Sequence, residues 1–195
     1  MPYVYLAKCI FDNWKFLKYI CSNSNSIIVP ESHPDGRIII MDYEKLHEIS
    51  ERDLSLAFTK KFIVHSDITN FFPSIYTHAI PWATVGFLTA KANKSNKNVW
   101  YNQLDYYQRL TKRNETQGVP MGPATSNIVS ELILAIVDNE LSKTYTYFRH
   151  IDDYKCFCDT FEEGEEFIRR LSKLLSKYKL TLNISMTFPL KTSPL

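Results

Sequence analysis

The chain has 195 residues, 45% apolar and 23% charged, with a net charge of +2. That is room for one domain or two small subdomains around a real core, and an ordinary globular composition. No apolar run reaches the ~18 residues of a bilayer-spanning helix, and so small a net charge does not by itself mark a nucleic-acid binder.

The N-terminus lacks a basic start, apolar stretch and small-residue cleavage site, so it reads as no signal peptide. Val4, Ala7, Ile10, Phe11, Trp14, Leu17 and Lys18 predict an amphipathic helix over 3–20. Ser and Asn at 22–26 break it. Ile27–Val29 and Arg37–Met41 flank a Pro, Asp and Gly turn and read as a hairpin. A mixed helical stretch covers 43–58, and Phe62–Asp67 is a short apolar strand. Residues 77–91 read as a helix with Pro81 tolerated in its first turns.

The next stretch is basic. Within 86–115, Lys91, Lys94, Lys97, Arg109, Lys112 and Arg113 oppose only Asp105 and Glu115, and 98–110 reads as helical. Gln117–Pro123 is a Gly/Pro-shaped loop. Ile128, Leu132, Ala135, Ile136 and Leu141 predict a helix over 124–141. Alternation on both sides of Asp152-Asp153 predicts a hairpin with a carboxylate pair at its tip. Residues 161–178 form a further helix, acidic early and basic late, as the helix dipole favours. Leu180–Ile184 is a final strand. Cys156 and Cys158 would share a strand face beside His150. The four cysteines have no CxxC spacing, so they read as core or surface thiols rather than zinc ligands, in a reducing, cytoplasmic setting.

From residue 62 the order is strand, helix, helix, strand, strand, helix, strand. That predicts an α+β layer with helices on one face of a small antiparallel sheet. A split arrangement would bring the end of strand 62–67 beside the tip of the 147–158 hairpin. Asp67 would then face Asp152 and Asp153. An Asp pair suits a turn for backbone reasons alone, but three carboxylates in one pocket call for divalent cations. Hard oxygen ligands fit Mg²⁺, and a pair of such ions serves in-line phosphoryl or nucleotidyl transfer.

SDITNFFPSIYTH (66–78), TQGVPMGPATSN (116–127) and YFRHIDDY (147–154) occur in that order with helix-sized gaps. They resemble motifs A, B and C of reverse transcriptases, and most closely those of the bacterial abortive-infection (Abi) group. PYVYLAKCIFDNW, VPESHPDGR, IYTHAIPWA and SELILAIVDNEL support the same group, so the similarity spans nearly the whole chain. The resemblance implies a polymerase right hand without its thumb: an N-terminal helix and fingers in 1–61, and a palm in 62–195 carrying a fingers-like basic insertion at about 86–116. It implies an RNA-directed DNA polymerase that adds dNTPs to a 3′ hydroxyl with two Mg²⁺ ions (Mn²⁺ being an alternative), using a nucleic-acid template or primer, in antiviral defence. Relatives of this group synthesise DNA without a template from a protein primer.

Residue by residue, the resemblance makes Asp67, Asp152 and Asp153 catalytic metal ligands, with the Ile68 carbonyl a further metal contact. Phe72 would block the 2′-hydroxyl of an incoming nucleotide. Gly118, Pro120, Met121 and Gly122 would shape the nucleotide site, where glycine admits close backbone approach. Arg37 would grip the triphosphate, with Lys91 and Lys94 as alternatives, and His150 would lie under the primer end. The chain departs from the family pattern at His150 (commonly Tyr), Met121 (commonly Gln) and Met186 (commonly Lys), with Lys191 a substitute for the last. A thumb is expected beyond this stretch. The chain alone is therefore expected to synthesise weakly, or with a separate chain supplying the thumb. The alternative is a degenerate remnant that binds nucleic acid or protein; Phe72 disfavours an RNA polymerase palm.

Overall fold

A computed structural model describes residues 2–31, 40–43, 46–58 and 60–191. The N-terminal periodicity folds as α1 (Pro2–Asp12), α2 (Trp14–Leu17) and a 3₁₀ turn at Lys18–Ser22, rather than as one helix. Strands β1 (Ile28–Glu31) and β2 (Ile40–Tyr43) pair antiparallel, and α3 (Leu46–Ala57) follows. Strand β3 (Phe62–Ile68) leads through α4 (Phe71–Ser74) to α5 (Ala79–Val85), α6 (Phe87–Ala92) and α7 (Trp100–Leu110). The single helix expected over 77–91 is broken between α5 and α6, where Gly86 takes φ +84° and so turns the chain at a conformation glycine adopts without strain. Helix α8 (Ala124–Leu141) has the predicted bounds. Strands β4 (Thr146–His150) and β5 (Asp153–Cys158), α9 (Phe161–Ser176) and β6 (Leu182–Lys191) complete the chain.

The main sheet has the order β4-β5-β3-β6, with all neighbours antiparallel. This is the expected α+β arrangement, a small antiparallel sheet backed by helices. Alternation sends Val64 and Ile68 of β3, with Cys156 and Cys158 of β5, into the core against α8 and α9. The opposite face is also covered. Ile63, Phe148 and Phe157 pack there with Ile27, Ile28 and the α3 residues Ile49, Leu56 and Ala57. The sheet needs this second cover because both of its faces carry apolar side chains. Among the described residues, no helix is long and apolar enough to cross a membrane.

Helix α8 is the centre of the molecule. It is buried on most sides, and its buried positions include two acids, Glu131 and Asp138. A buried carboxylate needs a partner. Both find Arg149, whose side chain is fully buried on β4. Arg149 Nη1 and Nη2 donate to the two Glu131 carboxylate oxygens at 2.8 Å each. Nε and Nη2 donate to Asp138 Oδ2 at 2.9 and 2.7 Å, and Nη1 also reaches the Ile151 carbonyl at 2.6 Å. Those contacts engage every N–H a guanidinium has. Burial pulls the Arg149 pKa down, but the two carboxylates outweigh it and hold the group well above its usual range.

Around this centre, Tyr147 Oη donates to Asp138 Oδ1 (3.0 Å) and Asn23 Nδ2 to Asp138 Oδ2 (2.7 Å). The Arg149 backbone pairs with the segment after the 3₁₀ turn: its N–H donates to the Asn25 carbonyl (2.7 Å), and its carbonyl accepts from Ile27 (3.0 Å). The exposed edge of β4 is thereby covered. Removing the guanidinium would strand two buried charges, a loss of about 3–5 kcal/mol. Arg149→Met is expected to lower the unfolding free energy by that amount, read in equilibrium denaturant unfolding, with Arg149→Lys recovering only part because an ammonium cannot bond both acids bidentately.

Candidate active site

The carboxylates meet at the ends of neighbouring strands. Strand β5 pairs with β3 as far as Tyr154 opposite Ser66, which brings Asp153 beside Asp67. A register shift between β3 and β6 falls between His65 and Asp67, and such bulges re-aim side chains. Asp152 sits in the tight β4–β5 turn closed by the pair His150 and Asp153. Ile151, the other turn residue, has φ +55°, uncommon for a β-branched side chain. Its carbonyl is the one that Arg149 holds, so the buried ion cluster and the strained turn are one device.

The electrostatics record the crowding. Burial, then Asp153 and Asp67, raise the Asp152 pKa to about 6, although its own backbone N–H favours the charged form. Asp67 thus adds to the burial and to Asp153 in disfavouring the charged form of Asp152. Burial and the Asp67 charge also raise Asp153, against the opposing pull of His150 and His65. Among the described residues, no ion pair involves any of the three. Nor, as the side chains stand, do three or more His, Cys, Asp or Glu residues among them form a group able to hold a metal. The donor set nonetheless suits Mg²⁺, which is usually held by one or two carboxylates together with substrate phosphates and water. Hard oxygen donors crowded into half-buried positions gain most from a divalent cation between them.

The other expected residues lie along the same path. The Ile68 side chain is buried in the core, leaving its backbone for any ligand contact. After β3, Asn70 turns the chain at φ +48°, and α4 carries Phe71 into the core while Phe72 stays half-buried against it. The Phe72 carbonyl accepts from Val119 N–H (2.9 Å), and the Ile75 carbonyl from Gly118 N–H (2.8 Å). The loop 118–122 is thus strapped to the segment after β3. Gly118 has φ +84°, and a Cβ there would lie 3.0 Å from the Pro73 carbonyl and 2.6 Å from Lys112 Nζ, so the strap admits only glycine. Pro120 is half-buried, whereas Met121 (72% exposed) and Gly122 face solvent. His150 is exposed at the end of β4. Arg37 lies outside the described residues, and Met186 lies within β6. Cys156 and Cys158 are buried, with sulfurs 3.7 Å apart, while His150 is exposed.

Sequence reasoning passed over Arg149, Glu131 and Asp138. Their signal was legible: Glu131 and Asp138 are seven residues apart on an otherwise apolar helix, hence on one face, and Arg149 shares a strand face with Tyr147. It also passed over Lys155, which bonds Asp53 of α3 (2.6 Å) on the sheet face that α3 covers, near His65.

A family model described as reverse transcriptase (RNA-dependent DNA polymerase) matches residues 13–187. The chain belongs to the reverse transcriptase family, and its α+β fold is consistent with that family's fingers and palm. Its solved structural neighbours include apo telomerase from Candida tropicalis (TM-score 0.60, 11% identity, 96% of this chain and 37% of that one). A form of that telomerase truncated from its C-terminal domain gives TM-score 0.58 at 11% identity, over 97% and 41%. Candida albicans telomerase in complex with a fragment of telomeric RNA gives 0.53 at 14% identity, over 98% and 34%. At these identities the likeness is one of fold, and the chain spans 34–41% of those proteins' lengths. No curated protein matches the chain significantly.

The raised Asp152 pKa has a signed consequence. The folded state holds a proton that the unfolded state releases near pH ~3.9, so this group's stabilising contribution fades as pH rises from about 4 to about 6. At pH 7 without divalent cations the ionised cluster opposes folding. Asp152→Asn is expected to raise the metal-free melting temperature at pH 7 by about 2–4 °C, the shift of about 1 kcal/mol after solvent screening. Below the unfolded pKa, at about pH 3.5, the difference should nearly vanish, as calorimetry at both pH values will check.

Proposed function

We propose that the chain is the fingers–palm module of an RNA-directed DNA polymerase, adding dNTPs to a 3′ hydroxyl. The observation that supports this most is the convergence of Asp67, Asp152 and Asp153 at adjacent strand ends, within a chain of the reverse transcriptase family. Asp67, the Ile68 carbonyl, Asp152 and Asp153 would hold Mg²⁺. Bound divalent cations there would supply activation of the attacking hydroxyl and charge neutralisation at the leaving oxygen. The protein's own part is placement. Arg149 fixes the turn that presents Asp152, and the bulge beside Asp67 aims the opposing carboxylate.

Phe72 would form the wall under the sugar, rejecting a 2′-hydroxyl by exclusion. Its tie to Val119 couples that wall to the 118–122 loop, whose exposed Met121 and Gly122 offer a backbone-lined surface to the base. His150, exposed at the end of β4, would lie under the primer terminus, and Arg37 would grip the triphosphate. The finer setting follows from motif resemblance: an Abi-like enzyme of antiviral defence in the cytoplasm, with untemplated or protein-primed synthesis and a thumb supplied by another chain. A degenerate binding module is the second reading. It is favoured by His150 in the motif C position and by the absence, among the described residues, of a preformed metal-binding group.

The purified chain, incubated with Mg²⁺ and labelled dNTPs or rNTPs, with and without template–primer, separates the two. Incorporation of dNTPs is expected, with a loss of at least about 100-fold in Asp152→Ala, in line with electrostatic catalysis. Phe72→Ala is expected to raise rNTP use relative to dNTP by about tenfold or more, because excluding one hydroxyl is worth a few kcal/mol at most. No incorporation in any lane, and no Mg²⁺-dependent rise in melting temperature, would overturn the polymerase reading and favour the binding module.

A further inference from the structure

Helices α5, α6 and α7, with the 94–97 loop, line an open cavity of about 780 Å³ whose lining includes none of the three carboxylates, Phe72 or the 118–122 loop. That volume is in the range of small-molecule sites. The reversal at Gly86 folds α6 back beside α5, and α7 closes the far side. The lining is basic and aromatic. Lys91, Lys94, Lys97 and Arg109 line it with Trp82 and Tyr106. Its one acid, Asp105, is buried and already engaged: its Oδ2 lies 2.6 Å from His78 Nδ1, and its Oδ1 lies 3.5 Å from Arg109 Nε. The three lysines pair with no carboxylate among the described residues.

The cations are set beside ring faces. Lys91 Nζ lies 5.2 Å from the Trp82 ring centre, and the Arg109 guanidinium 5.5 Å from that of Tyr106. Tyr106 is 45% exposed, so its ring remains available to a planar ligand. A flat ring to stack on, lining the same cavity as unneutralised ammonium groups, is the combination that binds a base and its phosphate together. A merely solvated basic face would lack the concavity, and an acidic peptide would make no use of the aromatic rings.

We propose that this cavity is a second nucleotide-binding site, stacking a base on Tyr106 or Trp82 and holding its phosphate with Lys91, Lys94 and Lys97. The nucleotide's source is either a free mononucleotide or one unit of a single strand. The site needs neither the carboxylates nor a divalent cation, and it assigns Lys91 and Lys94, the alternatives to Arg37 for the triphosphate, to this cavity instead.

The test uses the chain carrying Asp152→Asn, in EDTA, so that failed catalysis does not enter. Binding of 5′-labelled oligo-dT of eight nucleotides is followed by anisotropy, and binding of dAMP by calorimetry. Lys94→Glu with Lys97→Glu is expected to weaken binding about tenfold or more and to flatten its salt dependence; Tyr106→Ala should weaken it by about tenfold. Lys173→Glu with Lys177→Glu, at the C-terminal end of α9, is the control and should change it less than about twofold. Binding of dAMP identifies a free nucleotide as sufficient, and binding of the oligonucleotide alone identifies a strand; either supports the site. No binding of either probe, unchanged binding in the pocket variants, or an equal loss in the α9 control would overturn it.

Discussion

One buried guanidinium sets the geometry on which the rest depends. Arg149 spends all its donors inside the protein, on two acids of α8 and on the carbonyl of Ile151. A buried ion cluster contributes little net stability against an apolar equivalent. It is specific instead: an arginine satisfied only in one arrangement holds α8, β4 and the hairpin tip in one register. The segment at 25–27 closes over the same residue, so the N-terminal helices are referenced to that point as well.

The carboxylates are the counterpart of this rigidity. Ile151 in a left-handed conformation and acids pressed against one another are both unfavourable locally. They persist because the surroundings over-determine the turn. Burial first, and then the neighbouring carboxylates, raise the Asp152 pKa and disfavour an uncompensated negative charge there. A hairpin free to relax would splay its tip and lose both the crowding and the affinity for a cation that comes with it.

The stretch 79–110 follows different rules from the sheet. Its helices are short and its aromatic rings pack against one another and against cations. It joins the N-terminal region through α7, which packs on α1, with Tyr5 stacked on Tyr107 at 5.8 Å. A region that is basic and concave yet attached on two sides is suited to present a binding surface without moving the catalytic strands.

Much of this was legible in the residues themselves. The period of α8, the alternation around Asp152, the Gly/Pro loop at 117–123 and the order of strands and helices from residue 62 are local patterns, and local patterns survive folding when burial agrees with them. The three motifs carried the family because their residues are adjacent in sequence. Tertiary structure alone decided the rest. The helix expected at 3–20 divides, because the chain must bend at Asn13 and again through the 3₁₀ turn to bring Asn23–Asn25 against β4. The helix expected at 77–91 breaks at Gly86, because α6 must fold back beside α5. That Arg149 is a core residue, and that Asp105 neutralises its own surroundings and leaves nearby lysines unpaired, are facts about partners many residues away. Sequence determined which side chains could carry charge and chemistry; packing determined which charges are paired, because pairing depends on distance in space and on the loss of water around each group.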